Sequence, residues 1–224
     1  MGVEQSSTAT DTKDAGEFGA WRSAMAASLR GNAGTDVPCG DCVGCCSSSW
    51  PVALRAEDDN LREAIPAEFL LNVPNAPPGV RYLGYRADGT CPLLTHHRCT
   101  VYARRPQTCR DFDCRLFAAA GIDSAGPGKP LIDQRIKAWR FRYAHADDER
   151  THHAMRATAA FLVAAIEHMP SLRLPRSAVA IAGIAFKAHA VFLNNAHHDL
   201  SVEALAHQVL AAAGAFDRSS SSSN

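Results

Sequence analysis

Apolar positions in the first part of the chain come in short separate groups rather than long runs. Phe18, Trp21, Met25 and Leu29 recur at intervals of three and four, which predicts one amphipathic helix over Glu17 to Arg30. Gly31-Asn32-Ala33-Gly34 stops it. Before it, residues 1–15 are rich in Ser, Thr and Asp without periodicity, the composition of a disordered arm. Further on, Asp58 to Ala64 reads as a helix, Pro66 to Leu71 as a further helical turn, and Asn72 to Gly79, with three prolines, as loop. Val80 to Arg86 reads as a short strand closed by the turn Ala87-Asp88-Gly89. Cys99 to Tyr102 is then the return strand of a small hairpin, with His96 and His97 at its exposed tip. Arg105-Pro106 opens a helical turn, since Pro is well placed at a first helical position. Leu131 to Tyr143, with Ile136, Trp139, Phe141 and Tyr143, fits either a strand or the start of a helix, and strand is the expectation.

From Asp147 the pattern becomes helical and stays so. Asp147, Asp148 and Glu149 suit a helix N-terminus, and Met155, Leu162, Ile166 and Met169 line one face behind them. Ser177 to Asn194 predicts a second helix, apolar nearly all round. Ser201 caps a third, expected to end at Gly214. The fold class is therefore α-rich: a small irregular cysteine-cluster domain with a short β-hairpin, plus a C-terminal bundle of about three helices. The division is a disordered arm at 1–15, the cysteine domain at 16–145, the helical region at 146–217 and a disordered Ser-rich tail at 218–224.

Charge narrows the partners only by exclusion. The 224 residues carry 23 basic and 23 acidic side chains, so no overall basic excess marks a nucleic-acid coat. No apolar run reaches the roughly 18 residues of a membrane span; the longest, Ser177 to Leu193, is interrupted by Lys187 and His189. No basic-then-apolar leader is seen after Met1, which sets the expected location as cytoplasmic, where thiols stay reduced.

That compartment changes the meaning of the cysteines. All eight fall in two groups, Cys39, Cys42, Cys45 and Cys46 as CxxCxxCC, then Cys91, Cys99, Cys109 and Cys114. Clustered thiols in a reducing compartment point to metal rather than disulfides. A tight CxxC turn brings two sulfurs to one ion, about 2.3 Å from zinc. Gly40 and Gly44 relax the backbone between them. Three cysteines two residues apart can also wrap one corner of an iron–sulfur cluster, and this spacing favours that occupant slightly over zinc. Adjacent Cys45 and Cys46 are hard to aim at a single ion, so two four-sulfur sites or one site with structural cysteines both remain open. Arg98, Arg104, Arg105, Arg110 and Arg115, opposed by Asp111 and Asp113, can offset thiolate charge.

Other candidates weigh less. Glu149-x-x-His152 has the spacing of carboxylate-bridged di-iron bundles, but a second copy is missing, and a solvated helix start is expected. His197, His198 and His207 are expected at the surface. Arg135 to Tyr143 interleaves basic and aromatic residues as nucleic-acid readers do, and reads better as a strand with one packed and one wet face. No phosphate loop, Ser/His/Asp set or HExxH motif occurs.

The order Cys39-x2-Cys42-x2-Cys45-Cys46, Cys91-Pro-Leu-Leu, Cys99-Thr-Val-Tyr102 and Arg105-Pro106-x2-Cys109-Arg110-x-Phe112-x-Cys114 resembles the CxxCxxCC cysteine-cluster proteins. These are bacterial zinc- or iron-chelating domains to which flagellin lysine N-methylases are related. The resemblance, over roughly residues 38–115, implies metal chelation by the eight cysteines. Members often carry Pro before the last cysteine, where this chain has Asp113. The expected function is a metal-binding protein holding zinc or an iron–sulfur cluster. An enzyme of the lysine N-methylase type and an adaptor binding protein or nucleic acid through residues 135–143 are the alternatives.

Overall fold

The structure is a computed structural model and describes residues 11–31, 34–35, 37–169, 172–193 and 199–221. The chain opens with β1 (Lys13–Glu17) and α1 (Phe18–Leu29). Three short strands follow: β2 (Val52–Leu54), β3 (Leu70–Leu71) and β4 (Arg81–Leu83). Then come the hairpin of β5 (Leu94–Thr95) and β6 (Arg98–Cys99), and the helices α2 (Gln107–Asp111), α3 (Arg115–Ala120) and α4 (Pro130–Ala138). Last are β7 (Trp139–Arg142), α5 (Ala146–His168), α6 (Ala178–Ala188) and α7 (Val202–Ser221). The molecule is α-rich with small sheets, and the C-terminal part is three helices, as its periodicity implies. No described helix is long and apolar enough to cross a membrane.

Residues 11–15 do not behave as an arm. β1 pairs in parallel with β7, Lys13 opposite Trp139 and Glu17 opposite Arg142, and Ala15 is fully buried. The pairing is made by backbone groups, which polar side chains permit, so hydropathy gave no sign of it. Residues 1–10 and 222–224, the rest of the arm and tail expectations, lie outside the described residues, as do His197 and His198.

Four expectations of local structure change. Leu131 to Tyr143 is not one strand: α4 fills Pro130–Ala138, and extended structure starts only at Trp139. Pro130 at the first helical position fixes a helical φ, and Ile132 and Ile136, one turn apart, are both buried. Residues 56–64 form a 3-10 helix rather than an α-helix, and Pro66 to Leu71 divides into a 3-10 turn and β3. α7 continues past Gly214 to Ser221, against both the Gly214 stop and the 218–224 tail. A glycine inside a helix costs about 1 kcal/mol relative to alanine. Here Phe216 lies beyond it and packs against Phe186 and under the Arg30 guanidinium, 4.5 Å from the ring, which holds the extra turns in place.

Two apolar cores result. The larger joins Phe18, Trp21 and Met25 of α1, Phe117 of α3, Ile132 and Ile136 of α4 and Trp139 to Met155, Leu162, Phe186 and Val209 of the last three helices. The smaller joins Val52 and Leu54 of β2, Leu61, Ile65, Leu83 of β4, Leu93 and Val101. The three-stranded sheet that floors it has the order β2-β4-β3, all antiparallel. α1, α3 and α4 share the larger core with α5 to α7, and the buried residues of the smaller core lie between Val52 and Val101.

His152 is also a correction. It is 6% exposed and no part of a solvated helix start. Its ring stacks on Phe18 with centroids 4.6 Å apart, and its Nδ1 lies 2.6 Å from the Tyr143 hydroxyl. Glu149 is exposed and takes no part.

Candidate metal centre

All eight cysteines line one cavity of about 700 Å³ between the two cores. The two sequence groups, up to 75 residues apart between Cys39 and Cys114, therefore meet in space. None is in a disulfide; Cys91 and Cys114 are buried and the other six half-buried.

Local structure aims each group. Cys39 and Cys42 sit on a turn closed by the Cys42 N–H donating to the Cys39 carbonyl at 2.9 Å, with Gly40 at φ +56°. That conformation favours glycine. Gly44 serves differently. Its φ is an ordinary −52°, but a Cβ there would lie 3.1 Å from the backbone nitrogen of Ile132, so the turn carrying Cys45 and Cys46 rests directly on α4. The second group is tied to the first by the Cys91 N–H donating to the Cys46 carbonyl at 2.7 Å. Cys109 sits on α2, and Cys114 precedes the first residue of α3.

N–H and O–H groups are gathered around several of the sulfurs. The Trp139 indole N–H donates to Cys114 Sγ at 3.2 Å. The Tyr102 hydroxyl, which donates to the Val37 carbonyl at 3.2 Å, lies beside Cys39; the Arg135 guanidinium lies beside Cys42; and the Leu93 and Leu94 N–H groups lie beside Cys91, Leu94 donating to its carbonyl at 3.0 Å. Donors aimed at sulfur stabilise thiolate charge, as they do around metal-bound cysteine.

Burial alone works against that charge. It pushes the thiols of Cys46, Cys109 and Cys114 up to about 12, with neighbouring thiolates adding to the effect at each. Cys45 is raised further still, and Cys39 and Cys91 are raised for the same first cause. Thiols that repel one another in a poorly solvated cavity are relieved by a cation, which replaces their protons.

Of the five arginines singled out in sequence, Arg98 and Arg105 line the cavity. Arg104 and Arg110 donate instead to the carbonyls of Asn60 and Ala103, and Arg115 pairs with Asp113 at 2.8 Å. Two arginines not anticipated matter more. Arg135 touches Cys42 and pairs with Asp41 at 2.8 Å. Arg86 donates to the carbonyls of Cys91, Pro92 and Leu94, at 2.8, 2.8 and 3.2 Å, fixing the loop that presents Cys91. Arg86 carries no local signal in sequence; Arg135 lies in the basic-aromatic segment already noted. His96 and His97 are exposed at the hairpin turn and reach only the cavity rim.

Among the described residues no three His, Cys, Asp or Glu side chains are drawn together tightly enough to hold an ion as they stand. The sulfurs surround a cavity rather than a point. The donor set nevertheless suits a soft metal: thiols with N–H and O–H donors behind them, and guanidiniums to balance charge.

Residues 38–126 match the family model CxxCxxCC, described as "Putative zinc- or iron-chelating domain". No curated protein and no solved structure matches the chain.

Proposed function

With residues 38–126 taken as a CxxCxxCC domain, we propose that this protein binds zinc or an iron–sulfur cluster through Cys39, Cys42, Cys45, Cys46, Cys91, Cys99, Cys109 and Cys114. The observation that carries the reading is the convergence of all eight thiols on one cavity. Packing by itself has no need to gather eight sulfurs where two apolar cores meet. When bound, zinc supplies a structural crosslink and an iron–sulfur cluster adds electron transfer. The chain's own residues do the rest. The turns at Cys39–Cys42 and Cys45–Cys46 present thiolates, Trp139 hydrogen-bonds Cys114, Tyr102 and the Leu93 and Leu94 amides lie beside Cys39 and Cys91, and Arg105, Arg135 and Arg86 offset their charge. Eight free thiols suit a reducing compartment.

The rings of the basic-aromatic segment are used inside the protein. Trp139 is buried, and Phe141 packs on Phe18 and Trp21. This supports metal binding over nucleic-acid stacking. Elemental analysis and an absorption spectrum of protein purified without oxygen test the proposal. Stoichiometric zinc in a colourless protein, or iron with labile sulfide in a brown one, is the expected result. A well-folded chain carrying neither overturns it.

A further inference from the structure

We infer that the eight thiols form two four-sulfur sites, Cys39, Cys42, Cys45 and Cys114 in one and Cys46, Cys91, Cys99 and Cys109 in the other, each holding its own metal centre. This rests on the metal-binding reading above and adds which sulfurs share a centre.

The two apolar cores make the same division. Cys114, Cys39 and Cys45 pack on the larger core; Cys91, Cys46, Cys99 and Cys109 pack on the smaller. The adjacent pair is thus split between them. Cys45 and Cys46 belong to a 3-10 turn, Cys45–Ser47. Three residues per turn place successive side chains roughly 120° apart, so the two sulfurs leave the backbone in different directions. Cys42, on neither core, is joined to Cys39 through the hydrogen bond that closes their turn.

Proximity among the sulfurs agrees. The charges bearing most strongly on Cys45 are those of Cys114 and then Cys39, with its chain neighbour Cys46 behind them. Those bearing most on Cys46 are Cys91 and Cys99, ahead of Cys39 and Cys42. Among the thiols, those bearing most on Cys109 are Cys46, Cys91 and Cys99, and those bearing most on Cys114 are Cys39 and Cys42, while Cys114 in turn bears most on Cys45. Each set also has its own donors. Trp139, Tyr102 and Arg135 serve the first, and the Leu93 and Leu94 amides serve the second. Arg105 acts on both Cys39 and Cys109 and so stands between the sets. Four thiolates per centre is the complete ligand set of a structural zinc ion and of a cubane cluster alike.

The test uses the full chain with the paired variants C39S/C42S and C91S/C99S and measures iron, zinc and labile sulfide together with amide hydrogen exchange. Each pair is expected to keep half the wild-type metal. C91S/C99S is expected to lose protection at β2 and β4, and C39S/C42S to keep it there. If either pair loses all the metal, one shared centre exists and the partition is overturned; if either loses none, that set is no site and it is equally overturned. In both cases the metal-binding reading survives, whereas a wild-type chain without metal removes both. Should a variant not fold, cobalt(II) is titrated into the stripped wild-type chain. Sulfur-to-cobalt absorption rising to two equivalents supports two sites, and saturation at one overturns them.

Discussion

Asp113 stands between Phe112 and Cys114 with its side chain wholly out of solvent. Its carboxylate accepts from the Trp21 indole at 3.0 Å, from the Arg115 guanidinium and from the Arg115 backbone N–H at 2.9 Å. One residue thus ties α1 to the start of α3, next to a cavity cysteine, where a proline could make none of these bonds. Replacing Asp113 with Ala leaves Arg115 buried without its counter-charge, and such losses cost about 3–5 kcal/mol. Urea denaturation is expected to show a loss of that size, and an unchanged midpoint contradicts the role. His152 gives a second prediction. Burial, with the positive charges of Arg156 and His153 behind it, lowers its pKa from 6.5 to about 4. The folded ring stays neutral while the unfolded ring takes up a proton below pH 6.5. Stability is therefore full above that pH and falls as pH drops from 6.5 toward 4, by an amount on the order of 3 kcal/mol. Acid also returns protons to thiols and expels metal, so the comparison is between wild type and His152→Phe at each pH. The variant is expected to show the shallower fall between pH 6.5 and 4.

At the scale of elements, the turn carrying Cys45 and Cys46 is positioned by contact with α4 more than by its own propensity. Gly44 lies against Ile132 and Leu131 with no space for a Cβ. Gly44→Ala must push the turn or the helix aside, an overpacking cost of about 1–3 kcal/mol. Metal content measured on the purified variant is expected to fall along with the melting temperature. Unchanged values for both would show that the contact yields freely. α4 itself shows why periodicity misled here. Residues 131–143 mix a helical i, i+4 pair, Ile132 and Ile136, with a strand alternation that starts at Trp139. Averaged over one window, the two periods read as a single strand. β1 shows the opposite difficulty: its partner β7 lies more than 120 residues away, as Asp14 and Arg142 illustrate at a separation of 128, and no local pattern reports such a pair.

On the scale of the whole molecule, the cysteine cavity lies between two cores of unequal means. The larger spans α1 and the last helices and includes Phe18, Phe117, Met155, Leu162 and Phe186. The smaller has eight buried apolar residues over strands of two and three residues. So small a core is weak without a crosslink. Chelation is therefore expected to raise hydrogen exchange across β2, β3 and β4 by orders of magnitude while α5 and α7 keep most of their protection. Uniform exchange throughout would mean that the cores do not separate. The helical class, the three C-terminal helices and the clustering of thiols were legible in the sequence, because amphipathic period and residue chemistry are local properties. The sequence also carried the CxxCxxCC motifs, which depend only on spacing. That Lys13 to Glu17 is a strand, that His152 and Asp113 are buried, and that Arg86 and Arg135 serve the cysteine loops emerges only once the chain is folded. So does the sharing of Cys45 and Cys46 between different cores. Each of these depends on which distant surfaces meet, and that is fixed by the summed burial of the chain rather than by any short stretch of it.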